Sequence, residues 1–333
     1  MPLPTPATVI YHADCLDGFG AAYAAWLALG DTANYVPMHH GAAWNMAELA
    51  GQAVYILDFS FPPAVLEELA SIASSVIQID HHASALDAWA GKAQPDTLGR
   101  LAYQAADRPL QVIFDLNKSG ARLSWEFFHR DRPAPLLIRH IEDQDLWRFA
   151  LPGTRAFCRW LRQQPFDMAA WQRAMAETPD ESAPGYREAM TQGKAIEGFF
   201  QREVERLAGS LLRTPARLRG EPVDALQALR HGQDIVTDDN LAWLSIPGTA
   251  INANLLFASE LGNILAEQSG SFGLIWQYAG DGQIKASLRS KGRTLDLAVV
   301  ATRYGGGGHP NAAGFRMPAG QFFREVLARP LEA

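Results

Sequence analysis

The sequence predicts an α/β protein: an N-terminal doubly wound, mainly parallel sheet domain, joined by a helical linker to a smaller α+β domain. Three observations carry this expectation. Short apolar runs alternate with helix-patterned segments through the first part of the chain, as in a parallel sheet with crossover helices. A stretch rich in Glu, Arg, Gln and Ala follows at Ala183–Leu212. Strand signals then return around a Gly-Asp-Gly turn at 280–282. A chain of 333 residues also exceeds one ordinary core. The expected division is 1–182, a helical connector at 183–214, and 215–333.

The elements are read in order. Ala7–Tyr11 (ATVIY) is a short buried strand and Gly18–Leu29 a helix. Ala53–Leu57 is a second strand, and Pro62-Pro63 open a helix to about Ala73, where proline is tolerated. Ser75–Ile79 is a third strand and Gln111–Phe114 a fourth, followed by a helix over Arg122–His129. Leu136–Ile141 is a short helix leading into EDQDLW. In the last third, Asn240–Ile246, Gly273–Tyr278 and Ile284–Leu288 read as strands, with helices near Phe257–Glu267 and Leu295–Tyr304. No repeat and no low-complexity segment stands out.

Bulk properties prune function classes. A net charge of −7 argues against coating long duplex nucleic acid, which calls for a basic surface. It permits a small anionic substrate in a local basic pocket. Two cysteines, Cys15 and Cys158, imply no disulfide framework and fit a reducing cytoplasm. The N-terminus lacks a signal-peptide pattern, and no apolar run approaches the ~20 residues of a membrane span. The expected location is cytoplasmic.

The polar residues concentrate at strand ends. His12, Asp14 and Asp17 (HADCLDG) follow the first strand, Asp58 ends the second, and Asp80-His81-His82 end the third. Asp143 and Asp145 (IEDQDLW) follow a later helix. Sites in open parallel sheets form beyond the carboxyl ends of the strands, so these groups are expected to converge. Carboxylates with imidazoles suit Mn²⁺, Fe²⁺, Co²⁺ or Zn²⁺ and argue against a closed thiolate zinc site. The donors exceed what one ion needs. Two ions about 3.5–4 Å apart would use them all and suit attack on phosphorus. The bland alternative is that each Asp is a helix cap. Pro37-Met38-His39-His40-Gly41 holds paired histidines with no preceding Asp and is read as surface or substrate rim.

Near the C-terminus, Gly305–Phe315 reads GGGGHPNAAGF. Glycine disfavours helix and strand interiors, so the run, with Gly306, Gly307 and Gly308, is read as an anion-binding nest, with His309 donating to a phosphate. Upstream, SLRSK at 287–291 offers Arg289 for bidentate phosphate contact. The alternatives are a flexible loop and ordinary surface charges.

In this order, HADCLDG, YILDFS, IDHH, IEDQDLW, SLRSKG and GGGGHPNAAGF, the chain resembles the DHH phosphoesterase superfamily, its C-terminal part resembling the DHH-associated substrate domain. The resemblance covers nearly the whole chain. It implies a phosphohydrolase with two divalent ions, foremost Mn²⁺, with Co²⁺ or Mg²⁺ as alternatives. It implies His12, Asp14, Asp17, Asp58, His81 and Asp143 as metal ligands, with Asp58 bridging and Asp145 competing with Asp143. Asp80 would orient His81, His82 would be general acid or charge stabiliser, and Arg289 and His309 would grip a terminal phosphate or its nucleotide. One departure stands out: many relatives place the two aspartates of the first motif one residue apart, whereas Cys15 and Leu16 separate Asp14 from Asp17. Either both bind through a bulge or Asp17 alone does; Cys15 is read as packing, with a thiolate ligand there as the less favoured alternative. The expected substrate is a small nucleotide or short oligonucleotide. The alternatives are a polyphosphate or pyrophosphate hydrolase and a non-catalytic nucleotide sensor. Dimers are common among relatives, so a homodimer is one expectation.

Overall fold

The computed structural model describes residues 6–39, 41–130, 132–237, 241–292 and 295–327. His40 of the expected histidine pair and Asn240, the expected start of a strand, lie outside the described residues. The chain divides into two compact units, Met1–Phe199 and Phe200–Ala333.

The first unit runs β1 (Ala7–His12), α1 (Leu16–Leu29), β2 (Ala33–Met38), β3 (Ala53–Leu57), α2 (Pro63–Ile72), β4 (Ser75–Asp80), α3 (Ala83–Leu86), β5 (Gln94–Pro95), β6 (Leu101–Gln104), β7 (Leu110–Phe114), α4 (Gly120–Phe128), α5 (Leu136–Asp145), α6 (Thr154–Leu161) and α7 (Met168–Glu177). Its sheet has the order β2-β1-β3-β4-β7-β6-β5. The first five strands in this order are parallel; at one edge β6 runs antiparallel to β7, and β5 antiparallel to β6. The strand β2 carries Pro37 and went unread in the sequence; it lies at the other edge, where a missing N–H is tolerated.

Both faces of this sheet are covered. On β1, Val9 packs with Ala21, Ile79 and Leu123, while the next residue, Ile10, packs with Val54, Leu66 and Trp89. Strands buried on both sides read as continuous apolar runs, which is why these strands were visible in the sequence. From β1 the chain crosses to β2 on one side and then to β3 on the other. A reversal of this kind opens a crevice at the carboxyl ends of β1 and β3.

Two helices differ from expectation in ways that matter. The helix α1 begins at Leu16, so Asp17 falls in its first turn. The helix α5 continues through EDQD to Asp145, so Asp143 and Asp145 sit on different faces of one helix.

The helix α8 (Pro184–Ala208) contains the division between the units. The second unit continues with β8 (Thr214–Val223), α9 (Ala225–Arg230), β9 (Ile235–Thr237), β10 (Ala242–Asn252), α10 (Ala258–Ser269), β11 (Phe272–Tyr278), β12 (Gln283–Ser290), α11 (Leu297–Thr302), β13 (Gly307–His309), β14 (Ala312–Pro318) and α12 (Ala319–Glu325). Its sheet has the order β13-β14-β12-β11-β10-β8, with β9 paired to β10. Leu274, Leu288, Phe315 and Phe322 fill one side; Ile275, Leu261 and Leu265 fill the other with Phe200 and Val204.

The glycine run corrects the sequence reading. Gly307, Gly308 and His309 form the short edge strand β13, antiparallel to β14. A Cβ at Gly306 would stand 2.1 Å from the Gly314 carbonyl oxygen. The glycines therefore allow a close backbone approach.

Candidate metal centre

The crevice between β1 and β3 is where the polar residues gather. Asp58 leaves β3 with φ 52, a left-handed conformation that costs a non-glycine residue on the order of 1 kcal/mol. Its N–H donates to the Ile79 carbonyl oxygen at 3.0 Å, tying the turn to β4. The side chain is 2 % exposed, and its Oδ1 accepts no hydrogen bond among the described residues.

Two groups of donors flank this carboxylate. On one side, His12 Nδ1 lies 3.7 Å from Asp58 Oδ2. On the other, His81 Nε2 lies 3.2 Å from Asp58 Oδ1, 3.5 Å from Asp17 Oδ2 and 3.5 Å from Asp145 Oδ2. Asp17 is also held from α4: its carboxylate accepts from the N–H groups of Gly120 (2.6 Å) and Ala121 (2.9 Å). A helix N-terminus favours an anion there.

The structure parts the sequence-predicted residues. His12, Asp17, Asp58, Asp80, His81 and His82 come together. Asp14 does not: its φ of 56 turns the chain, and its carboxylate, 85 % exposed, meets His39 Nε2 at 3.4 Å. Asp143 does not either. Its carboxylate accepts from Ala150 N (2.8 Å), Leu151 N (3.0 Å) and Thr154 Oγ1 (2.5 Å), so it organises the turn after α5. Asp145, two residues on, faces the centre instead.

Asp80 corrects another expectation. Its Oδ1 accepts from the His81 N–H at 2.8 Å and lies 2.7 Å from His82 Nδ1, and its Oδ2 accepts from Ser60 Oγ at 2.5 Å. The side chain it orients is His82. Nothing in the sequence marked Ser60 beforehand beyond its place in YILDFS.

The electrostatics call for a cation. Burial, with Asp58 and Asp145 adding repulsion, holds Asp17 well above the usual carboxylate range. Asp145, whose side chain is 28 % exposed, is raised as well, by partial desolvation within the cluster and by Asp58, with His81 opposing. Burial would lower His81, but Asp58, Asp145 and Asp17 outweigh it and raise it well above the usual imidazole range. Burial likewise opposes His12, which Asp58, Asp80 and Asp17 raise. Burial works against ionised Asp58, yet His12 and His81 hold it far below the usual range. Clustered carboxylates withdrawn from water are costly unless paired or metal-bound; the imidazoles beside them occupy the place that a divalent ion would take over with release of protons. The donor set fits such ions. Burial, with Asp58 and Asp145 adding to it, raises the Cys15 thiol at the edge of this cluster.

In the second unit, Arg289 lies on β12 and His309 ends β13; both are register partners of Ala312 on the intervening β14. In-register residues on neighbouring strands share a sheet face. The Arg289 guanidinium donates to Ser287 Oγ (3.0 Å), the Leu288 carbonyl oxygen (2.7 Å) and Ser259 Oγ (2.8 Å), and burial lowers its pKa to about 10. The expected nest is altered: the Gly305 and Gly306 N–H groups donate to the carbonyls of Thr302 (3.0 Å) and Ala301 (2.9 Å).

Residues 256–331 match the DHHA1 domain family. The chain is 27 % identical to the uncharacterized protein R106 of Acanthamoeba polyphaga mimivirus, over 92 % of this chain and 66 % of that protein's length. It is similar to RecJ from Thermus thermophilus in complex with Mn²⁺ (16 % identity, 95 % of this chain and 50 % of that one, TM-score 0.43). It is also similar to PggH, a pGpG-specific phosphodiesterase from Vibrio cholerae (12 % identity, 96 % and 95 %, TM-score 0.41). Asp80-His81-His82 stand at the end of β4 in the first unit, and the DHHA1 match covers most of the second.

Proposed function

We propose that the chain is a metal-dependent phosphohydrolase that uses two divalent ions, foremost Mn²⁺, to hydrolyse a phosphodiester of a small nucleotide or short oligonucleotide. The observation that carries this reading is Asp58, a buried carboxylate with one oxygen toward His12 and the other toward His81, whose Nε2 in turn lies 3.5 Å from both Asp17 and Asp145. Asp58, His12, Asp17, His81 and Asp145 would hold the ions. Bound there, the ions would supply an activated water and neutralise charge on the phosphoryl oxygens.

The remaining steps belong to the chain. The Asp80 carboxylate keeps the Nδ1 proton of His82 on its own side, so Nε2 is the atom that exchanges a proton with substrate. Burial opposes the charged form of His82, but Asp80 outweighs it and raises the imidazole above its usual range. His82 is then a general acid toward the leaving oxygen. Arg289 and His309 share one face of the second sheet and are suited to grip a terminal phosphate.

The test is hydrolysis with Mn²⁺ over a panel: a 5′-phosphorylated dinucleotide, 3′-phosphoadenosine 5′-phosphate, cyclic mononucleotides and dinucleotides, pyrophosphate and polyphosphate. Turnover of a nucleotide, lost in Asp58→Ala, is the expected result. Turnover confined to inorganic chains would replace the nucleotide reading with a polyphosphatase.

A further inference from the structure

We propose that Cys15 is a ligand of the ion on the His12 side of Asp58, so that the two metal positions differ in softness. This rests on the two-metal reading above. It takes up the less favoured alternative of the sequence reading, a thiolate ligand, over packing.

The geometry separates Cys15 from its neighbours. A ligand atom each from His12, Cys15 and Asp58 lie within 4.8 Å of one another, and a second such set is Asp17, His81 and Asp145. Donors around one tetrahedral ion with bonds of about 2.0–2.3 Å stand roughly 3.5 Å apart, so closing the first set takes small side-chain shifts. Asp58, common to both sides, is almost fully buried: its Oδ2 lies 3.7 Å from His12 Nδ1, and its Oδ1, on the His81 side, has no hydrogen bond among the described residues. Cys15 precedes α1 with extended backbone (φ −118, ψ 139), and its side chain makes no cap hydrogen bond to the helix. Its carbonyl starts the helix by accepting from Phe19 N at 3.0 Å, while its sulfur stays with His12 and Asp58. Asp14 is turned outward to His39. Position 15 thus fills the place at the centre that the sequence motif suggested for position 14.

The chemistry then splits. A thiolate, an imidazole and a carboxylate favour Zn²⁺, Co²⁺ or Fe²⁺, whereas carboxylates with one imidazole also suit Mn²⁺ or Mg²⁺. The Cys15 position is predicted to take the softer ion and the Asp17–His81–Asp145 position the harder one. Cys158 is an internal control. It is buried elsewhere, its sulfur 3.5 Å from the His140 carbonyl oxygen.

The experiment titrates metal-free full-length protein anaerobically with Co²⁺ and follows the absorption spectrum for wild type, Cys15→Ser and Cys158→Ser. The expected result is an intense near-ultraviolet thiolate-to-cobalt band in wild type and Cys158→Ser. Cys15→Ser should lose that band while keeping weak visible cobalt bands from the remaining position. Cobalt bound to wild type without the charge-transfer band would overturn the Cys15 assignment and leave the two-metal reading standing. So would persistence of the band in Cys15→Ser, or its loss in Cys158→Ser. Failure of wild type to bind cobalt at all would overturn both. Should Cys15→Ser not fold, the wild-type and Cys158→Ser spectra still decide.

Discussion

Asp80 Oδ1 and His82 Nδ1 stand 2.7 Å apart, and this contact assigns the central residue of the Asp-His-His motif a different task from its flanks. His81 faces the carboxylates of Asp17, Asp58 and Asp145, whereas Asp80 aims His82. Replacing Asp80 by Asn is predicted to lower kcat by about 10–100-fold, the usual effect of losing a supporting carboxylate. Metal stoichiometry should be unchanged, and the basic limb of the kcat pH profile should shift to lower pH, because Asp80 is what raises the His82 imidazole. Replacing His82 by Ala should cost about 10²–10⁴-fold in kcat. An unshifted profile in Asp80→Asn would show that the contact positions nothing.

The two aspartates at the end of α5 make opposite predictions. Asp145→Asn should weaken Mn²⁺ binding by about 100-fold or more, since a direct donor matters at least as much as a supporting one. Asp143→Asn should affect affinity less and lower the unfolding free energy by about 1–3 kcal/mol, because three donors, the Thr154 hydroxyl among them buried, lose a charged acceptor. Calorimetric titration with Mn²⁺ and urea denaturation of both variants check this. The reverse ranking would restore Asp143 as the ligand.

Gly120 is a packing constraint on the centre. A Cβ there would lie 2.4 Å from Asp58 Cβ and 2.7 Å from its Oδ1. Gly120→Ala should therefore destabilise by about 1–3 kcal/mol, as overpacking does, and weaken metal binding together with stability. Urea denaturation with and without Mn²⁺ reads both effects.

His140 provides a pH test away from the centre. It is fully buried between Thr154 Oγ1 (2.9 Å from Nδ1) and the Tyr186 hydroxyl (3.2 Å from Nε2). Burial lowers its pKa from 6.5 to about 4, with Asp143 opposing. Between those values the unfolded chain binds the extra proton and the folded chain does not, so stability falls as pH falls through this window. The full effect is at most roughly 3–4 kcal/mol at 1.36 kcal/mol per unit. His140→Gln should flatten the stability profile between pH 6.5 and 4; an unchanged slope would place the proton uptake elsewhere.

What the sequence revealed follows physical lines. Strands buried on both faces, such as β1, β3 and β4, announce themselves as apolar runs, and the sheet rule then brings His12, Asp58 and Asp80–His82 to one crevice. The edge strands β2 and β13 were missed, one because of Pro37 and the other because its residues are mostly glycine. Asp145 was named only as a competitor because the helix α5 was ended too early; once it runs through Asp145, the two aspartates must diverge. The partners of Asp17 lie more than 100 residues away on α4, and no local pattern points to them. The outward turn of Asp14 depends on a positive φ at a non-glycine residue, which spacing alone does not announce.

The central claim is that Asp58 bridges two ions. Equilibrium dialysis against Mn²⁺, with metal and protein quantified on the same sample, tests it most directly. Two ions per chain in wild type and loss of both in Asp58→Ala is the predicted result. A single ion in wild type, or two ions retained by a folded Asp58→Ala, would contradict it.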